Sequence, residues 1–155
     1  MANDRQHQEH TRLVATYGVK HYRSTISTTV RPGDRVLEIG CEWGTTSAYL
    51  ANVAAQLVAT DVSAECIERA RAKHPDIDFE TLDAFDLLAV QAHGPVDVVY
   101  VDVSGLSGFR SLLDVLSLLN SYSNLLAPRV IVIKSGALMN LARRLSVAPD
   151  PRARS

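Results

Sequence analysis

Apolar residues in this chain fall into short continuous runs. Amphipathic stretches separate the runs, and glycine, proline or an acidic residue marks most of their ends. Five runs have strand length and β-branched composition: Val36–Ile39, Leu57–Asp61, Ile77–Glu80, Val96–Asp102 and Arg129–Lys134. The most apolar of them, such as Val96–Asp102, suit strands buried on both faces, as in parallel sheets. Helical patterns fill the intervals at Ser47–Ala51, Ala64–Lys73, 86–92, Phe109–Leu126 and Ala137–Leu145. Before the first strand, Leu13, Val14, Tyr17, Tyr22 and Ile26 predict an amphipathic helix from Glu9 to about Ser27, interrupted near Gly18. Arg31-Pro32-Gly33-Asp34 is the turn that delivers the chain into strand 1. Regular alternation of strand and helix predicts an α/β fold with a doubly wound parallel sheet. Right-handed crossovers then give the strand order 3-2-1-4-5.

Composition narrows the picture little. With 155 residues the chain is read as a single domain, 1–155, with residues 1–8 and 147–155 expected to be mobile. A net charge of −1 gives no overall steering toward nucleic acid or an anionic membrane. The two cysteines, Cys41 and Cys66, lie in a turn and a helix, so free thiols and a reducing compartment are expected. The polar start and the lack of a membrane-length apolar run predict a cytoplasmic protein with no membrane partner. His7, His10 and His21 lack companion ligands at metal-binding spacing and are read as surface residues, so no metal is expected.

Candidate chemistry concentrates after strand 1, where Gly40-Cys41-Glu42-Trp43-Gly44-Thr45-Thr46 turns into a helix. Such a turn, at the carboxyl end of a central parallel strand, is where open α/β sheets bind nucleotides. A dinucleotide fingerprint would need glycine at positions 42 and 45, which hold Glu42 and Thr45. A carboxylate at position 42 repels a pyrophosphate, and no Walker loop is present. S-adenosylmethionine (SAM) has an adenosine moiety, a sulfonium and an amino group but no phosphate, so Glu38 and Glu42 suit it. Asp61 ends strand 2 at 21 positions after Gly40, close to the spacing of a ribose-binding carboxylate. It also precedes a helix with Ser63, so N-capping is an alternative role.

Glu38-Ile39-Gly40-Cys41-Glu42-Trp43-Gly44 resembles motif I of the class I, Rossmann-like SAM-dependent methyltransferases, with Glu42 where the middle glycine usually sits. The Gly-x-x-x-Gly-Thr-Thr form is similar to that of fibrillarin-type RNA ribose methyltransferases. The resemblance spans about Arg31 to Lys134 and implies SAM as cofactor. It places Asp83, just after strand 3, at the adenine, and reads the loop from Asp102 as the catalytic loop; capping is the other role for each acid. The donor-binding set is then Glu38, Gly40, Cys41, Glu42, Gly44, Thr45, Asp61, Val62, Asp83 and Ala84. Lys20, Asp102 and Lys134 resemble the Lys-Asp-Lys catalytic set of ribose 2′-O-methyltransferases, with two surface lysines as the plainer alternative. The acceptor is read as a small molecule or an RNA ribose hydroxyl. A degenerate SAM-binding subunit that acts with a partner, and a Rossmann-like enzyme using NAD, are the competing readings. The family adds strands 6 and 7 beyond strand 5, which this sequence lacks. Strand 5 is therefore expected to be an open edge, available for a homodimer or a partner.

Overall fold

The computed structural model describes residues 10–103 and 109–149. The expected mobile start at 1–8, most of the tail from 147, and residues 104–108 of the Asp102 loop lie outside the described residues. Six strands form one sheet: β1 (Arg12–Thr16), β2 (Arg35–Ile39), β3 (Gln56–Asp61), β4 (Asp78–Thr81), β5 (Val98–Val101) and β6 (Val130–Lys134). Every pairing is parallel, in the order β1-β6-β5-β2-β3-β4. The five expected strands are β2 to β6, in the expected relative order.

Strand β1 is new. The predicted helix over 9–27 is a strand followed by two short helices, α1 (Val19–Ser24) and α2 (Ile26–Thr29). β1 pairs with β6 from Arg12↔Val130 to Thr16↔Lys134, and the Thr16 hydroxyl donates to the Ile133 carbonyl at 3.1 Å. The strand predicted as an open edge is thus paired by its own chain. That removes the motive for expecting a homodimer or partner on that strand.

The remaining helices are α3 (Thr45–Ala51), α4 (Ala64–Lys73), α5 (Leu87–Gln91), α6 (Phe109–Leu125) and α7 (Gly136–Ala142). Local chemistry sets several of their starts. Ser63, Asp86 and Ser135 each accept a main-chain N–H at the head of α4, α5 and α7. Glu65 in the first turn of α4 and Arg71 and Lys73 in its last turn complement the helix dipole.

Helices cover both faces of the sheet. On the first face, Tyr22, Ile26, Val30 and Leu50 pack on Val36, Val98, Tyr100, Val130 and Val132, and Ile67 and Ala70 of α4 pack near Ala59 and Phe79. On the second face, Val90, Val115, Leu118, Leu119, Tyr122 and Leu126 pack on Leu37, Ile39, Val99, Val101, Ile131 and Ile133. Because the strands are parallel and in register, Ile39, Asp61, Val101, Ile133 and Thr16 all end at one edge. The chain reverses its direction of travel across the sheet at β2, so a crevice opens between β2 and β5 at that edge.

Candidate active site

The crevice is lined by Ile39, Gly40, Asp61, Val62, Leu82, Ala84, Asp102 and Val103. Five of the expected donor-site and catalytic residues therefore share one cleft: Gly40, Asp61, Val62, Ala84 and Asp102. Gly40 has φ +84°, and a Cβ there would collide with the main-chain carbonyl of Asp102. Only glycine lets the turn after β2 pass that close to the end of β5. Gly44 has φ +78°, and a Cβ there would meet Phe79 Cζ at 2.8 Å. Glu42, at the position of the usual middle glycine, also takes a left-handed conformation, with φ +51°. The backbone geometry of the motif is thus kept at a cost of roughly 1–2 kcal/mol for the side chain.

Much of the turn's donor capacity is spent inside the protein. The amides of Gly40 and Cys41 both donate to the Thr60 carbonyl at 2.8 Å, and that of Gly44 donates to the Cys41 carbonyl at 2.9 Å. The amide of Glu42 donates to Asp61 Oδ2 at 2.9 Å. Asp61 Oδ1 accepts from the Ser63 amide at 2.9 Å, and it is Ser63 that caps α4. Two intramolecular bonds fix the Asp61 carboxylate and leave acceptor capacity at its half-exposed edge. Asp83 is exposed, with Oδ1 accepting from the Phe85 amide at 2.9 Å, while Ala84 beside it is buried. Thr45 opens α3 and is exposed, as is Val62.

Beneath the turn lies Glu38, buried on the first face with its Oε2 accepting from the Ser47 hydroxyl at 2.5 Å. Burial pushes its pKa up from 4.5 to about 7; the Ser47 bond and Arg23 act against the shift, and Asp102 and Asp61 add to it. Burial and the neighbouring Glu38 also push the buried Cys41 thiol far up, so it stays protonated and unreactive. Asp102 lies 2.7 Å from Lys134 Nζ through its Oδ1, an ion pair across the ends of β5 and β6. Burial raises the Asp102 pKa, and Lys134 offsets part of that.

Lys20 is not brought into this pair. It is exposed on the first turn of α1, and none of the ion pairs among the described residues includes it. The α1 cation that faces the crevice is Arg23. Its Nε donates to Thr46 Oγ1 at 3.0 Å, its guanidinium lies 5.5 Å from the Tyr49 ring centroid, and its charge acts on both Glu38 and Asp102. Next to it, Tyr22 is fully buried, with a hydroxyl that has no partner among the described residues and feels the charges of Glu38 and Asp102. Neither residue belongs to the donor-binding or catalytic set expected from the sequence. Reading the segment before strand 1 as one long helix put the phase of α1 out of reach.

Among the described residues, no three His, Cys, Asp or Glu side chains are grouped to hold a metal ion. A second depression between β1, α6 and α7, lined by Leu13, Leu116, Leu119, Leu138 and Met139 among others, has no titratable side chain in its wall. No described helix is long and apolar enough to cross a membrane.

A family model described as a methyltransferase domain matches residues 36–129. Among solved structures, a TehB-like SAM-dependent methyltransferase from Corynebacterium glutamicum is similar with a TM-score of 0.58 at 18% identity, over 79% of this chain and 70% of that one. A precorrin-6y C5,15-methyltransferase from Geobacter metallireducens gives a TM-score of 0.60 at 15% identity, over 81% of this chain and 66% of that one. A functionally unknown protein from Deinococcus radiodurans gives 0.54 at 26% identity, over 72% and 49%. These likenesses are of fold. The chain spans about half the length, or less, of several of the structures it matches. No curated protein matches the sequence significantly.

Proposed function

The chain belongs to the methyltransferase-domain family, and from that premise we propose that it moves the methyl group of S-adenosyl-L-methionine to a hydroxyl of an acceptor bound beside Asp102 and Lys134. The cofactor is SAM, whose sulfonium supplies an activated methyl group and a good leaving group. The observation that carries the reading is the spending of the turn's amides. Gly40, Cys41, Glu42 and Gly44 all donate within the protein, so the turn does not offer these N–H groups to a pyrophosphate. What the crevice offers instead is carboxylate and a close main-chain approach, which suit a cationic, phosphate-free donor.

In this reading Asp61 accepts from the ribose hydroxyls through the acceptor capacity its two amide bonds leave free. Asp83 and Ala84 meet the adenine, while Gly40, Gly44 and Thr45 form the wall of the donor site. Glu38 and Glu42 favour its positive charge, and Cys41 fills the turn as a small inert side chain. Little acid–base work is needed at the sulfonium, so the main task of the protein is to hold donor and acceptor in line. Lys134 and Asp102, 2.7 Å apart, orient the acceptor hydroxyl, and the Asp102 carboxylate takes its proton as the oxygen bonds the methyl carbon and the carbon–sulfur bond breaks, leaving a methyl ether and S-adenosylhomocysteine. The local similarity to fibrillarin-type enzymes makes an RNA ribose one such hydroxyl; a small-molecule alcohol is the other.

Calorimetry with S-adenosylhomocysteine tests the donor site. Wild type is expected to bind it, and NAD is not expected to bind. Asp61→Ala should weaken binding by about tenfold or more, because charge-assisted bonds of roughly 1.5–3 kcal/mol each are lost. A folded Asp61→Ala protein that binds as tightly as wild type would sink the assignment.

A further inference from the structure

We propose that the methyl acceptor carries phosphate and is held on the β1–β6 side of the crevice by a cationic rim of Arg143 and Arg23, an assignment that rests on the methyl-transfer reading above. A near-neutral net charge conceals a sharp division. Residues 36–103 hold twelve acids and three bases, whereas residues 10–35 and 104–149 hold ten bases and two acids. The fold turns this division of sequence into a division of space. The middle stretch makes β2 to β5, and the flanks make β1, α1, β6 and α7.

At the carboxyl edge the two halves meet. Glu42, Asp61, Asp83 and Asp102 belong to the donor half. The flanks bring no acid to it from residues 16–33 or 129–149. Of their two acids, Asp34 precedes β2 at the opposite edge and is bonded to Arg129, and Asp114 lies on α6. Lys134 is neutralised by Asp102. Arg143 and Arg23 have no carboxylate partner among the described residues.

The two guanidiniums are nevertheless held in place. Arg143 stacks 4.9 Å from the centroid of Tyr17, whose ring reaches across to Gly136 at the head of α7. Arg23 lies over Tyr49 with its Nε on Thr46. Stacking on an aromatic face fixes the plane of a guanidinium and leaves N–H groups at its rim for a ligand. A lone carboxylate matches one such group. A phosphate carries about 1.5 to 2 negative charges and three acceptor oxygens, so it can serve more than one cation.

Two sources share this chemistry, a small phosphorylated molecule and a nucleic-acid strand. Titration of the full chain, saturated with S-adenosylhomocysteine, with pyrophosphate and separately with a short single-stranded RNA of mixed sequence distinguishes them. At least one probe should bind, and Arg143→Glu should weaken it by about tenfold or more, as expected for the loss of a charge-assisted contact and the gain of a repulsive one. Lys73→Glu, on α4 in the acidic half, should leave probe binding unchanged. Both variants should keep wild-type affinity for S-adenosylhomocysteine, which certifies their fold. Binding of pyrophosphate without RNA assigns a small acceptor, and preference for RNA assigns a strand. The proposal is overturned if neither probe binds, or if Arg143→Glu weakens binding no more than Lys73→Glu. Failure of S-adenosylhomocysteine to bind wild type would instead overturn the donor site, with the probe titrations still reporting on the rim.

Discussion

The two faces of the sheet are built from different chemistry. The second face is a continuous aliphatic layer. Alternate residues of β5 and β6, Val99, Val101, Ile131 and Ile133, meet Val115, Leu118, Leu119 and Leu126 of α6 and its end, and Tyr122 sends its one hydroxyl to the Ala84 carbonyl at 2.6 Å. The first face is threaded with polar atoms. Tyr100 bonds to Thr25 at 2.9 Å and Thr29 at 2.6 Å, Tyr22 crosses Tyr100 edge-on, and Glu38 sits buried on Ser47. One strand supplies both environments, since neighbouring side chains point to opposite faces. The aliphatic layer stabilises the sheet and lends Ile39, Leu82 and Ala84 to the crevice, while the polar layer holds buried Glu38 beneath the turn after β2 at some cost in stability.

Substitutions on each face put this division at risk. Ile131→Ala should have the largest effect, a loss of about 2–5 kcal/mol in denaturant unfolding, because it opens a cavity in the aliphatic layer. Donor affinity of the folded fraction should not change; a parallel loss of both would show that the faces are not separable. Glu38→Gln should act through pH. The Glu38 carboxyl titrates near 7 in the folded chain against 4.5 as an unperturbed group, so the folded state holds a proton that the unfolded state releases between those values. Stability from this group is therefore highest below pH 4.5 and falls by about 3 kcal/mol as pH rises to 7. Glu38→Gln should flatten that slope, and an unchanged pH profile would rule out Glu38 as its source. Tyr100→Phe should cost least, about 1 kcal/mol in the same unfolding experiment. Thr25 and Thr29 keep their bonds to the Tyr22 and Thr25 carbonyls, and the single Tyr100 proton can serve only one of the two threonines. A cost above that of Ile131→Ala would reverse the roles of the two faces.

What could be read from the sequence follows from burial. Val36–Ile39, Val98–Val101 and Val130–Ile133 lie in the middle of the sheet with both sides covered, so their apolar runs declared them. The glycine turn was legible because Gly40 and Gly44 are forced by close contacts rather than by preference. β1 was not. Arg12-Leu13-Val14-Ala15-Thr16 is a five-residue edge strand in which Leu13 stays half exposed, and the spacing of Leu13, Val14 and Tyr17 equally fits a helix. That error carried into the site. With the start of α1 displaced, nothing in the sequence said that Arg23 rather than Lys20 would face the crevice. The approach of Asp102 to Lys134 was legible, because both end neighbouring strands at one edge.

The pairing of Arg12 with Val130 also dictates an order of assembly. Of the six described strands β1 is made before the others, yet its partner β6 follows only after the four between them. Until then its main-chain N–H and C=O groups have no ladder to join, and closing so long a loop is slow. β2 to β5 can pair as they appear. A nascent chain therefore builds β2 to β5 first, and completes the side carrying Tyr17, Arg23 and Lys134 only when β6 arrives between β5 and the waiting β1.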